Sequence, residues 1–159
     1  MVEDVSGVVG DMRVDPSIQV VIARLHAAMA KVANGDVTDI KALYSHSADA
    51  TSFYGWGGWE KGWEAVGKRW DWAGQQFKGG TVSYQPVTRV VADALFFTTD
   101  IETFRMHDID GLGRPTQWSN RVTHIFRLED GPNGLKEWRL LHRHGNRLED
   151  QFKPAPRLG

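Results

Sequence analysis

The side chains able to do chemistry gather between Gln117 and Arg147, QWSNRVTHIFRLEDGPNGLKEWRLLHRHGNR. Arg121, His124, His142, Arg143 and His144 fall there within two runs of alternating polar and apolar residues. An arginine facing a pocket holds a carboxylate or stabilises an enolate-type oxyanion. A histidine or a buried carboxylate moves protons. Glu102 is the candidate carboxylate, because it shares a strand face with Asp100 and Phe104, while Ile101 and Thr103 take the other. Turned inward, its pKa rises unless it is paired, and a raised carboxyl serves as a general acid or base. The competing reading is a structural pair between Glu102 and Arg121 on the neighbouring strand. The two are compatible, since a pocket arginine needs a charge partner when no ligand is bound.

Strand parity constrains the rest. Arg121 and Thr123 share one face of their strand; His142 and His144 share one face of the last strand, with Arg143 on the other. Which set meets Arg121 depends on the hairpin register, and one bulged residue in the turn exchanges the faces. One register puts Arg121 with Arg143 in the pocket and gathers His124, His142 and His144 on the opposite face. The other puts Arg121 with His142 and His144. Three histidines across two strands have the makings of a metal site, but no nearby carboxylate or cysteine completes the set, so no metal is expected. Asp108-Ile109-Asp110-Gly111 starts like a calcium loop but lacks the later ligands and the closing glutamate, and is read as a turn.

The elements that position these residues follow from periodicity. Asp15-Pro16 opens a helix in which Ile18, Val21, Ile22, Leu25, Met29 and Val32 recur at helical spacing, and Asn34-Gly35 closes it. A short helix is expected over Val37–Tyr44, capped by Asp36. Asp49–Tyr54 is a short strand, broken by Gly55-Trp56-Gly57-Gly58. Trp59, Trp63, Val66, Trp70, Ala73 and Phe77 then form a helical stripe ended by Gly79-Gly80. The stripe reads mainly as core, with one end on a cavity wall; Trp56, on its glycine-rich loop, is a candidate rim aromatic. Beyond it the period changes to two. Strands are expected over Thr81–Val91, where Pro86 marks an edge or a bulge, and Ala94–Met106, then over the two arms of the opening hairpin around Glu129–Gly134. Helices first and antiparallel strands afterwards give an α+β domain. Residues 1–14 are expected to be an arm, 15–147 the domain and 148–159 a polar tail.

Composition narrows the function classes. A formal charge of -1 with interspersed signs offers no field for nucleic acid. The absence of cysteine removes disulfides, thiolate metal sites and a cysteine nucleophile. No apolar run approaches the ~20 residues of a membrane span, and the first residues lack the pattern of a signal peptide. A cytoplasmic protein without membrane or nucleic-acid partners is the expectation. Five of the seven tryptophans lie between Trp56 and Trp72, which suits a pocket or a core.

The chain resembles the nuclear transport factor 2-like (ketosteroid isomerase-like) superfamily, and within it SnoaL-like proteins. The carrying residues are Tyr44-Ser45-His46-Ser47-Ala48-Asp49, Gly62-Trp63-Glu64, Ala92-Asp93-Ala94, Asn120-Arg121-Val122-Thr123-His124 and Trp138-Arg139-Leu140-Leu141-His142-Arg143-His144. The last two also resemble the association domain of calcium/calmodulin-dependent protein kinase II. The resemblance implies a cystatin-like half-cone: a curved antiparallel sheet of four long strands plus a short one, covered by three N-terminal helices, with a cavity at its open end. It also implies a homodimer through the sheet face. The superfold hosts isomerases, dehydratases, cyclases and non-enzymatic binding domains. Their catalytic sets do not transfer: the aspartate–tyrosine–acid set of the ketosteroid isomerases finds no match, and Leu140 stands where an epoxide hydrolase would carry its aspartate. The expected function is cofactor-free binding of a small carbonyl or carboxylate compound, with proton-transfer chemistry as one branch and a non-catalytic binding or assembly domain as the other. Glu102, Arg121 and His142 are the candidate catalytic residues. Tyr54, Trp56, Trp63, Trp70, Thr123, Arg143 and His144 are the candidate ligand-binding residues.

Overall fold

The computed structural model describes residues 15–107, 112 and 114–148. The expected arm over 1–14, the tail beyond Leu148 and the Asp108–Gly111 turn lie outside the described residues.

Helix α1 (Pro16–Val32) starts where Asp15 accepts the Ser17 N–H at 2.9 Å and proline takes a first-turn position that needs no donor. Its stripe of Ile18, Val21, Leu25, Met29 and Val32 is fully buried. Removing one such side chain from water is worth about 1.5–3 kcal/mol. Gly35, at φ +86°, turns the chain out of the helix. Asp36 accepts the Thr38 N–H at 2.9 Å just ahead of helix α2 (Thr38–Leu43).

The chain then forms strand β1 (Thr51–Phe53), strand β2 (Trp59–Lys61) and helix α3 (Trp63–Gln76). Here the structure departs from the expected stripe. Gly57, Gly58 and Gly62 all adopt positive φ, so the chain doubles back as a β-hairpin and α3 cannot begin before Trp63. Trp59 sits on β2 and is exposed, and Phe77 follows the helix rather than ending it.

Strands β3 (Gly80–Ala92), β4 (Leu95–Met106), β5 (Thr116–Asp130) and β6 (Lys136–Arg147) complete one curved sheet in the order β2-β1-β6-β5-β4-β3. The expected antiparallel sheet of five strands is instead a mixed sheet of six, because β1 lies parallel to β6 and the Gly-rich hairpin adds β2. Strand β3 is an edge, and its register slips between Pro86 and Thr88, so the proline marks both an edge and an irregularity. No described helix is long and apolar enough to cross a membrane.

The inner face of β4 is buried at every second residue: Phe96, Thr98, Asp100, Glu102, Phe104 and Met106. Val122, His124 and Phe126 continue it on β5, and Trp138 and Leu140 on β6. At Leu141 the β5–β6 register shifts by one residue: Leu140 opposes Phe126, whereas His142 opposes Ile125 and Arg143 opposes His124. Leu140 and Arg143 therefore both point inward, three positions apart.

Candidate functional site

A cavity of about 310 Å³ opens between α1, α3 and the far end of the sheet. Met29, Val32 and Ala73 supply its aliphatic wall. Trp70, Trp72, Phe77, Phe104 and Trp118 supply aromatic surface, and Tyr54 and Trp56 stand on the loop that follows β1. Phe77 stacks on Phe104 at 5.7 Å, and Phe104 on Trp118 at 5.1 Å, so one side is a continuous ladder of rings. Tyr54 and Trp56 stack at 5.1 Å with planes 5° apart, although Trp56 is 57% exposed. Asn120, Arg143, Gly145 and Arg147 bring the polar surface from β5 and β6.

Two donors at this cavity, the Tyr54 hydroxyl and the Trp70 Nε1–H, are buried without a well-aligned partner among the described residues, although the Ser52 hydroxyl lies within reach of Tyr54. Burial pushes the Tyr54 hydroxyl up to about 12, so it remains a neutral donor. The neighbouring Ser52 hydroxyl, opposite Arg143 in the β1–β6 ladder, is also without an aligned partner.

Behind the cavity lies a buried ion pair. Arg143 grips Glu102 bidentately, Nη1 to Oε2 at 2.9 Å and Nη2 to Oε1 at 2.6 Å. The Tyr84 hydroxyl donates to Glu102 Oε2 at 2.6 Å and Asn120 to Oε1 at 3.2 Å. Burial alone would raise the Glu102 carboxyl. The Arg143 charge and the converging donors outweigh it and hold the carboxyl below its ordinary value. Tyr84 is pushed well above the ordinary tyrosine value by burial and by the adjacent Glu102 charge. His124 Nε2 accepts from Arg143 Nη1 at 2.7 Å, which places its proton on Nδ1. Burial first, and the Arg143 charge second, drive this imidazole well below the usual histidine range, so it is neutral. His26 from α1 stacks on Tyr84 at 4.0 Å, and a second buried pair, Arg89 with Asp100 at 2.5 Å, lies beside this network.

No protein-family model and no curated protein matches the sequence. Solved structures do match. A nuclear transport factor 2-like superfamily protein from Salmonella enterica superposes with a TM-score of 0.69 at 20% identity, covering 89% of this chain and 94% of the other. A provisionally assigned calcium/calmodulin-dependent protein kinase type II association domain from Thiobacillus denitrificans gives 0.66 at 14%, covering 82% and 94%. A provisionally assigned ketosteroid isomerase from Parabacteroides distasonis gives 0.62 at 16%, covering 83% and 88%. The chain has the nuclear transport factor 2-like fold.

Within this nuclear transport factor 2-like frame, the candidate residues divide between two faces of the sheet. Tyr54, Trp56, Trp70 and Arg143 meet at the cavity, with Glu102 directly behind Arg143. Arg121 and Thr123 do not. They oppose Ile101 and Thr99 across the β4–β5 ladder and so lie on the outer face, where a shallow groove also takes His144. The pair expected between Glu102 and Arg121 is replaced by Glu102 with Arg143, because Asn120, not Arg121, shares the Glu102 face. His142 is on the outer face too: its Nδ1 lies 2.7 Å from Thr51 Oγ1, and Phe53 packs edge-on against both His142 and His144. Burial, then the neighbouring His144, lowers the His142 pKa. Trp63 stacks on His46 at 3.9 Å and packs near Tyr44, away from the cavity. His124 does not join His142 and His144, and among the described residues no group of three His, Asp or Glu is placed to hold a metal.

Trp118, Asn120 and Arg147 line the cavity without having been singled out from the sequence, and Tyr84 completes the ion pair from β3. Parity could have found the first two, since both alternate with Val122, His124 and Phe126 on β5. Arg147 is reachable only once the Leu141 bulge fixes the inner face of β6.

Proposed function

We propose that this protein binds a small, mainly aromatic molecule inside the cone, and that the molecule presents a carbonyl-type oxygen to the Tyr54 hydroxyl and the Trp70 Nε1–H. The observation carrying this reading is the pair of buried donors that lack a well-aligned partner among the described residues, at an otherwise aromatic cavity. An unpaired buried donor costs about 1–3 kcal/mol, which an acceptor on the ligand restores. The volume suits a bicyclic ring system, and rigid aromatic walls lose little conformational entropy on binding. Titration calorimetry with 2-acetonaphthone tests it. Binding should weaken about fivefold in Tyr54→Phe, the loss of one hydrogen bond of about 1 kcal/mol. Undiminished binding by that variant would show that the hydroxyl does not meet the ligand.

Proton-transfer catalysis, as in an isomerase, cyclase or dehydratase, is the second reading. What favours it is Arg143 on the cavity wall beside Gly145, with an Nε–H and one Nη2–H outside the hydrogen bonds to Glu102 and His124. These donors suit a developing oxyanion. Glu102 serves this reading as the carboxylate that holds Arg143 in place rather than as the acid or base, since its oxygens are saturated. A proton-transfer site has a group titrating near neutrality, whereas binding governed by arginine and neutral donors stays flat from about pH 5 to 9. The assembly reading is supported by Phe53, Arg121, Thr123, His142 and His144 on the outer face, a surface for a second copy; sedimentation of Phe53→Asp against the parent chain tests it.

A further inference from the structure

We infer that the ligand is an anion, an aromatic carboxylate whose acid group is held by Arg147 at the mouth while its carbonyl end reaches Tyr54 and Trp70. This rests on the binding reading above and adds the charge and orientation of the occupant. Among the described residues, the charged side chains lining the cavity are Arg143 and Arg147, and no carboxylate lines it. Arg143 reaches the wall but is neutralised by Glu102. Arg147 is exposed and has no carboxylate partner among the described residues; its guanidinium lies 5.3 Å from the centre of the Trp118 ring. The other arginine near the aromatic rim, Arg69, stands over Tyr54 and Trp72 but is held by both its Nε and Nη2 to Glu60. Among the described residues the wall thus carries one uncompensated positive charge, and it sits at the open end.

Position sets the orientation. Trp118 joins the ring cluster of Phe77 and Phe104 to Arg147, so a flat ring laid against Trp118 brings a substituent to the guanidinium. Away from Arg147 the donors on the wall, the Tyr54 hydroxyl and the Trp70 Nε1–H, are uncharged. A carboxylate placed there would lose its hydration against an ion pair that is already neutral; at the mouth it keeps water on one side and gains a planar fork of N–H donors. The complementary molecule has an acid at one end, a ketone or aldehyde at the other, and a planar apolar body between.

The test compares 6-acetyl-2-naphthoate with 2-acetonaphthone, which differ only by the carboxylate, on the whole chain at low ionic strength. The carboxylate should bind about fivefold more tightly, the upper range for a solvent-facing ion pair. That advantage should shrink as salt is raised to 0.5 M. In Arg147→Gln the advantage of the carboxylate over 2-acetonaphthone should vanish. Equal affinity of the two compounds for the parent chain, or an advantage that survives Arg147→Gln, overturns the assignment and leaves the cavity reading standing. Failure of both compounds to bind overturns the two together.

Discussion

Glu102 and Arg143 can be separated experimentally, because only one of them can discharge itself when its partner is removed. In Glu102→Gln the shape is kept and the Arg143 charge is left buried, 7% exposed, with no counter-ion. Arginine does not release its proton in a protein, so the fold bears the whole penalty, about 3–5 kcal/mol out of the roughly 5–15 that stabilise a domain. Arg143→Met starts from a similar loss at pH 8, with a carboxylate stranded beside Tyr84 and Asn120. Glu102, however, can take up a proton. Without Arg143 its pKa rises above the ordinary 4.5, whereas in the parent it lies below. Between that raised value and 4.5 the folded variant holds a proton that its unfolded chain does not. Its stability therefore rises as pH falls, by about 1.4 kcal/mol per unit. The release of His124 from the Arg143 charge acts in the same direction. Urea unfolding followed by far-ultraviolet circular dichroism at pH 8, 7, 6 and 5 should show the Arg143→Met deficit shrinking while the Glu102→Gln deficit stays constant. Parallel profiles, or a Glu102→Gln loss below about 1 kcal/mol, would refute the claim that these two groups form a desolvated charge pair.

Other outcomes follow from the same geometry. His124, held neutral in the fold but free to protonate when unfolded, should cost the parent chain up to about 1.4 kcal/mol per unit as pH falls below 6.5; His124→Asn should flatten that part of the pH–stability curve. Trp56→Ala should leave the urea midpoint nearly unchanged, within about 0.5 kcal/mol for an exposed side chain. It should weaken 2-acetonaphthone binding roughly threefold to tenfold through the lost ring contact, as calorimetry would register. Deleting Leu141 takes out only the extra residue and leaves Leu140 opposite Phe126, His142 opposite Ile125 and Arg143 opposite His124, so the faces are kept; a cooperative urea transition should persist, and its loss would refute this register.

The helices and long strands were legible because their burial patterns are local. The α1 stripe reads directly from the spacing of Ile18 to Val32, and Glu102 reads as inward from its alternation with Phe104. The Trp59 to Phe77 stripe reads too long, because periodicity does not register that three glycines nearby adopt positive φ and form a hairpin. Arg121 was misplaced for a different reason. Parity says which residues share a face within one strand, but the partner strand decides which face is inside, and the β4–β5 register sets Arg121 against Ile101. The faces of β6 hang on a single bulged residue between Leu140 and His142, and two successive leucines do not say that one of them is extra.

That bulge has an evolutionary consequence. Beyond it, strand β6 presents imidazoles to one side and guanidinium groups to the other, and the bulge decides which side the cavity receives. Straightening it with the residue count unchanged would exchange the two chemistries in one step, replacing a permanently charged wall with a titratable one. Changing the residues themselves would need several coordinated substitutions to do the same. Among chains of this fold, a bulge in the last strand is therefore a character to compare alongside its residues, since homologues alike in sequence but differing in that one kink would face their ligands with opposite sides of the same ribbon.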